Sequence, residues 1–311
     1  MGQASSASEK TVNTVSELSI REYLEAAARR IDEELDRLLP PADCFPPRIH
    51  EAMRYSVLAG GKRLRPILCL EAGRLLGGDD RILVRAGSAL ELIHTYSLIH
   101  DDLPALDNDD LRRGRPTSHR AFGESTAILA GDALLTLAFE VLSCPGPPSE
   151  ASKLRVIHEL AHAIGTDGGM IGGQVIDLQM AGQEIDSQAL EYLHSAKTGA
   201  FIRVAVRAGV LYAQGGDEDL ARLTSYGEKI GLAFQIVDDL LDVLGSQESL
   251  GKTVGKDDRQ HKATYPAVHG IEASQRMASQ LVAEACGVLE PYGDRAQILE
   301  GIAQFMLVRK H

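Results

Sequence analysis

Residues 81–102 read RILVRAGSALELIHTYSLIHDD, and this stretch decides the fold. Apolar and small side chains fall almost all round a helical projection, the pattern of a helix buried on every side. A second such stretch runs from Asp219 to Leu244. Outward from these two, apolar residues at helical spacing predict a helix over Ile20–Leu39, stopped by Pro40-Pro41. Further helices are expected from Pro46-Pro47 to Gly60-Gly61, from Pro66 to Gly77-Gly78, and over 124–143, 150–166, 186–213 and 273–290. Ser19, followed three residues later by Glu22, spells a capping box for the first helix. Runs of β-branched residues at period two are nearly absent. The expectation is therefore all-α, a bundle of about ten or more helices. No short repeat or long linker divides the chain, and Cys144–Ser149 reads as a loop between helices. Residues 1–18 are expected to be a disordered N-terminal segment, and 19–311 a single all-helical domain.

The 311 residues are 44% hydrophobic and 24% charged, the balance of a soluble globular protein with ample core. Thirty-two basic against 44 acidic side chains give a net charge of −12, which argues against a nucleic-acid partner. Aromatic residues at 5%, with no Trp, weaken a base-stacking role further. Cys44, Cys69, Cys144 and Cys286 lie far apart with no zinc spacing, and read as reduced thiols in a cytoplasmic protein. No segment approaches the ~20 apolar residues of a membrane span. Residues 1–19 carry no apolar core of a signal peptide.

Two acidic constellations carry the chemistry. Asp101, Asp102, Asp107, Asp109 and Asp110 place five carboxylates within ten residues. Two unit charges 4 Å apart repel by about 4 kcal/mol at an effective dielectric near 20, so cations are required. The plainer reading is a solvated loop neutralised by Arg112, Arg113 and Arg115. Asp238, Asp239 and Asp242 form the second cluster, inside an apolar helix, with Asp238 and Asp242 on one face. Two such clusters read as facing jaws of a metal site, and hard oxygen ligands suit Mg2+ bridging to phosphates. The turn GGKRLRP (60–66) presents Lys62 and Arg65 to an anion without Walker A spacing. Arg112, Arg113, Lys197 beside Thr198, Lys252 and Lys262 add cations, together a pocket for more than one diphosphate. His94 is a core histidine or a phosphate donor, and His100 adjoins Asp101 in a position to orient it. No Ser-His-Asp or Cys-His arrangement supports covalent catalysis.

The blocks GGKRLRP, IHTYSLIHDDLPALDNDDLRRGRPTSH, AGDALL, GGQVIDL, KTGA, GLAFQIVDDLLDV and GKTVGKDDRQHKATYP, in this order, resemble the short-chain trans-isoprenyl diphosphate synthases of the bacterial farnesyl type. The resemblance covers the chain from about residue 20 onward and implies the isoprenoid synthase fold around a central cavity. It implies an allylic diphosphate ionising against about three Mg2+ ions held by Asp101, Asp102, Asp107, Asp238, Asp239 and Asp242. Arg112, Lys197, Lys252 and Lys262 would neutralise the leaving diphosphate, and oxygens of Thr198 and Gln235 would face the carbocation. Isopentenyl diphosphate would sit on Lys62, Arg65, His94 and Arg113, with the C-terminal Arg309-Lys310 closing over it. The departing diphosphate takes the proton in that family, and its members are typically homodimers. Tyr96 and Ser97, just before Asp101, would form the floor of the product tunnel. The bulky Tyr96, with the four residues between Asp102 and Asp107, implies a farnesyl product. HT, LIHDDLP and DNDDLRRG also resemble plant geranylgeranyl synthases, which leaves a twenty-carbon product as the alternative. A terpene cyclase would normally carry Asn, Ser and Glu in its second metal motif, and a non-catalytic subunit would show one motif damaged.

Overall fold

The computed structural model describes residues 17–180, 187–248 and 264–308. Helix α1 (Glu17–Leu38) is followed by α2 (Pro47–Val57), α3 (Leu64–Leu75) and α4 (Asp80–Asp101). A two-residue antiparallel hairpin, β1 (Leu111–Arg112) and β2 (Arg115–Pro116), precedes α5 (Ser118–Phe122) and α6 (Glu124–Ser143). Next come α7 (Glu150–Ile164), α8 (Met170–Met180) and α9 (Ser187–His194), then a π-helical turn, Ser195–Gly199, leading into α10 (Ala200–Tyr212). Helix α11 (Asp217–Glu248), α12 (Tyr265–His269), α13 (Ile271–Leu289), a 3-10 turn at Glu290–Ala296 and α14 (Gln297–Val308) complete the order. The all-α expectation holds.

Helix α4 is central, as its all-round apolar pattern requires. It packs on α3, α6, α1, α10 and α2, with Leu83, Leu90, Leu92 and Ile93 wholly buried. Asp79 caps it, accepting hydrogen bonds from the Arg81 and Ile82 amides. Helix α10 crosses α3 where both lack a side chain. A Cβ on Gly209 would lie 2.1 Å from the Cys69 carbonyl oxygen, and one on Gly73 would strike Leu83. Helix α11 runs against α13 and α10 and carries the second acidic motif.

Several boundaries differ from the sequence reading. Helix α1 already contains Ser19, so the residue sits inside the helix rather than at its cap. Helix α2 stops at Val57, three residues before Gly60, and α3 begins two residues before Pro66, which its first turn accommodates because no N–H is needed there. The helix expected over 186–213 is interrupted by the π turn at 195–199. Helices α8 and α14 were not anticipated. Gly173 on α8 serves close contact: a Cβ would meet the Lys197 backbone nitrogen at 2.6 Å. The N-terminal residues 1–16 fall outside the described residues.

The glycine contacts give opposite expectations for one substitution. Gly209→Ala drives a methyl into backbone and should lower stability by about 1–3 kcal/mol or more. Gly287→Ala, at an exposed position of α13 with open space around it, should raise stability by about 0.5–1 kcal/mol. Urea denaturation midpoints at constant slope measure both.

Candidate active site

The first acidic motif hangs from the C-terminal end of α4. Asp102 is its C-cap, is buried, and is clamped by Arg112, whose Nε lies 3.0 Å from Oδ1 and whose Nη2 also bonds that oxygen. The chain then folds back on itself: the Asp107 amide donates to the Asp101 carbonyl at 2.9 Å, and the Asp109 amide to that of Asp102 at 3.2 Å. Arg112 also lies 3.6 Å from Asp109, and Arg120 pairs with Asp110 at 2.5 Å. The neutralising role thus falls to Arg112 and Arg120. Arg115 stacks 4.2 Å over the Tyr55 ring, and Arg113 turns elsewhere. Asp101 is pushed up to about 6, mainly by burial, although the Lys197 charge acts against the shift. His100 does not orient Asp101. Its ring turns to α6, where Nε2 lies 3.1 Å from the Ile128 carbonyl oxygen.

Opposite, the second motif divides its three carboxylates. Asp239 is buried and accepts from the Tyr265 amide at 2.9 Å and from Gln235 Nε2 at 3.2 Å, while Asp238 is half-buried and Asp242 exposed. The three are therefore not equally buried, because position 239 turns towards α12 and the other two do not. Asp239 is also raised to about 6 by burial, despite both hydrogen bonds. Beside it lies the π turn with Lys197 and Thr198. Such bulges occur frequently at functional sites, since they displace side chains from the helical register. Lys197 Nζ donates to Asp177 of α8 at 2.6 Å, and its charge reaches Asp101. The π turn therefore faces the first motif.

A third group gathers around the glycine turn. Gly60 and Gly61 adopt φ of +85° and +135°, open to glycine. The Arg113 guanidinium lies against Gly61, where a Cβ would come within 2.5 Å of it, and bonds the Gly60 carbonyl. Arg113 and Gly114 form the hairpin's turn, both at positive φ, which aims the arginine at the glycine pair. Arg65 stacks 5.0 Å over Phe201, with its Nε buried and unpartnered. Its charge is felt with that of Asp238. His94 is held well below the usual histidine range by burial, reinforced by Arg65, Arg113, Arg63 and Arg112, so its imidazole is neutral at pH 7. Lys62 is exposed at the turn's edge. The structure thus brings Arg65, His94 and Arg113 together, with Lys62 exposed on the adjoining glycine turn.

Sequence reasoning missed residues that support these groups. Asp177 anchors Lys197 from twenty positions away, a separation with no local signal. Gln174, one turn earlier on α8, has both amide atoms buried without a partner. Arg63 is fully buried on Glu91 (2.7 Å), Asp32 (2.8 Å) and the Val57 carbonyl (2.7 Å). Tyr96 is buried with an unpartnered hydroxyl, and Ser97 donates to the His94 carbonyl at 2.9 Å. Lys252, Lys262, Arg309 and Lys310 lie outside the described residues.

Among the described residues no three His, Cys, Asp or Glu side chains converge tightly enough to hold a metal ion alone. The donors nevertheless fit magnesium: all are carboxylate oxygens, and Asp101 and Asp239 both bear the cost of burial that a cation would offset. Magnesium usually keeps waters and completes its shell with substrate phosphates, so loosely spaced carboxylates suffice.

The polyprenyl synthetase family matches residues 46–298. A dimethylallyltranstransferase of Fischerella ambigua is 45% identical, over 97% of this chain and 87% of its own length. The large subunit 1 of a heterodimeric chloroplastic geranylgeranyl pyrophosphate synthase of Arabidopsis thaliana is 44% identical, over 93% of this chain and 79% of its own. The crystal structure of an FPP/GFPP synthase from Zymomonas mobilis superposes with a TM-score of 0.84 at 38% identity, covering 94% of this chain and all of that one. The chain belongs to the polyprenyl synthetase family and is a prenyltransferase.

The raised carboxylates make the metal-free protein pH-sensitive. A group raised in the fold stabilises it below the unfolded value and loses that contribution as pH rises through the folded value, here from about 4 through about 6. Asp101→Asn, which imitates the protonated acid, should melt higher than wild type at pH 8 in chelator and no differently at pH 4. Calorimetry of both proteins across that range checks this.

Proposed function

We propose that the protein is a trans-prenyl diphosphate synthase that condenses isopentenyl diphosphate with dimethylallyl and geranyl diphosphates to give farnesyl diphosphate. The observation that carries the reading is the grouping of Arg65, His94 and Arg113 by the glycine turn that bears Lys62, apart from the two acidic motifs, which supports separate places for two diphosphates. Asp101, Asp102, Asp107, Asp238, Asp239 and Asp242 would hold magnesium, which when bound supplies the positive charge that stabilises a leaving diphosphate. Lys197, held by Asp177, points a cation at the same leaving group, and Arg112 clamps Asp102 beside it, opposing the burial that raises that carboxyl. Lys252 and Lys262 add to this set. The Gln235 amide N–H is engaged by Asp239, which leaves its carbonyl oxygen, with the Thr198 hydroxyl, to face an allylic cation. Lys62, Arg65 and Arg113 bind the isopentenyl diphosphate, and neutral His94 donates one hydrogen bond to it. No side-chain base is required, because the departing diphosphate accepts the proton.

The fifteen-carbon product rests on Tyr96, a buried ring on α4 between one and two turns before Asp101. The name of the Zymomonas mobilis enzyme includes the same product. A second reading, geranylgeranyl diphosphate, is supported about as well by the Arabidopsis relatives at 44% identity. We also place the protein in a reducing, cytoplasmic setting, which suits its four free cysteines. The proposed assembly is a homodimer formed through α6. Among the described residues, α6 is the helix long and apolar enough to cross a membrane, yet it packs on α4 and α2. Ile128 and Leu129 remain 44% and 58% exposed on its outer side, an apolar face that a second copy would cover.

Asp101→Ala and Asp238→Ala should each cut turnover by orders of magnitude, since held charge on a leaving group contributes several kcal/mol. Wild-type turnover of both at limiting magnesium would remove the assignment. Incubation with magnesium, dimethylallyl diphosphate and labelled isopentenyl diphosphate identifies the product. Tyr96→Ala should move it towards twenty carbons or longer, because a packed ring no longer opposes further growth. A fifteen-carbon limit retained by a folded, active Tyr96→Ala would show that the floor lies elsewhere.

A further inference from the structure

The AGDALL block at 130–135 contributes no side chain to the site described above, yet its glycine is fixed by a close contact. A Cβ on Gly131 would lie 2.2 Å from His100 Nε2 and 2.6 Å from Cδ2, so the imidazole rests directly on the α6 backbone. Nε2 lies 3.1 Å from the Ile128 carbonyl oxygen. A carbonyl only accepts, so Nε2 carries the hydrogen and the ring is held from two directions. Asp132 Oδ1 stands 3.9 Å from the same nitrogen. The other side of the imidazole meets Tyr96, four residues earlier on α4, in an edge-on contact with centroids 5.7 Å apart and planes at 81°. Tyr96 is only 6% exposed, and its buried hydroxyl has no hydrogen-bond partner. Among the described residues, no polar contact therefore fixes the phenol ring. Its position is set by packing alone, and His100 is the aromatic neighbour that packs on it.

We infer that His100, seated on Gly131, is a positioning residue for product length: it holds the Tyr96 ring in place. This rests on Tyr96 limiting chain growth, as proposed above. A ring that carries no hydrogen bond and loses a neighbour of this size gains room to swing aside, and a longer product then fits. Gly131 acts one step further away, since any side chain there lifts the imidazole off α6 and breaks its bond to Ile128. The inference also gives the glycine of AGDALL a reason that neither helix propensity nor metal chemistry provides.

The test compares the ratio of twenty-carbon to fifteen-carbon products made by wild type, His100→Ala, Gly131→Ala, Tyr96→Ala and the Tyr96→Ala/His100→Ala double variant. All are incubated with magnesium, dimethylallyl diphosphate and labelled isopentenyl diphosphate. His100→Ala and Gly131→Ala should each raise the ratio by about three- to tenfold, the range that up to about 1.4 kcal/mol of relieved crowding produces. The double variant should match Tyr96→Ala alone, because His100 acts only through the ring. An unchanged ratio in active His100→Ala, beside a shifted Tyr96→Ala, would overturn the inference and leave the synthase reading standing. So would an equal further shift on the Tyr96→Ala background, which would mean that His100 acts independently. If Tyr96→Ala itself leaves the product unchanged, the tyrosine floor and this inference fall together, while retained turnover preserves the activity. Should Gly131→Ala fail to fold, His100→Ala, which only deletes a partly exposed ring, carries the test.

Discussion

The constraint on which the rest of the structure depends is the burial of Arg63. Its guanidinium is closed off from solvent and satisfied by Glu91 of α4, Asp32 of α1 and the carbonyl of Val57 at the end of α2. One side chain at the head of α3 therefore ties four helices together. A buried charge is tolerated only with such complete partnering, and loss of Glu91, its buried partner, breaks a buried pair at a cost of about 3–5 kcal/mol. Arg63 also sits at a φ of +49°, an uncommon conformation for a residue with a side chain. The neighbouring turn is thereby fixed, with Lys62 on one side and Arg65 on the other.

The active-site electrostatics extend from that anchored turn. Carboxylates at the end of α4 and within α11 are partly removed from water, which costs free energy unless positive charge is near. Arg112 meets the need in part at Asp102, and a backbone N–H with a glutamine amide meets it in part at Asp239. Among the described residues, Asp101 has the Lys197 and Arg112 charges, which only partly oppose the cost of its burial. A metal–diphosphate complex would bring positive charge to that position. The basic cluster around His94 has the opposite imbalance, with arginines crowded together and a neutral imidazole among them. An acidic region that favours bound cations and a basic region that favours bound anions suit chemistry on diphosphates.

The elements differ in how much of them a linear reading exposes. Helix α4 is unmistakable because burial on nearly every side leaves a continuous apolar pattern, whereas α11, read the same way, keeps an exposed edge at Ala221, Glu228, Asp242 and Leu244. Helix α8 is the contrary case: its glycines are explained by close approaches, Gly173 to the π turn and Gly172 to the Thr166 carbonyl. The π turn is likewise hidden, since SAKTG has the composition of ordinary helix and its departure from α geometry is a matter of packing. Ser19 and Glu22 spell a cap, but the helix already runs through them. A capping signal is weak when the helix can extend past it at little cost.

The sequence alone determined that the chain is helical, that its acidic residues fall in two clusters, and which basic residues are available to oppose them. Those properties follow from periodicity and residue type, which are local. Only the tertiary structure decided that Arg112 belongs to Asp102 while Arg113 crosses to the glycine turn, although the two are adjacent in sequence. It alone decided that Lys197 pairs with Asp177, that Asp239 turns away from Asp238 and Asp242, and that His100 faces α6 rather than Asp101. The physical reason is the same in each case. A charged or aromatic side chain goes where desolvation, charge and close packing are jointly satisfied, and those partners come from helices far apart in the chain.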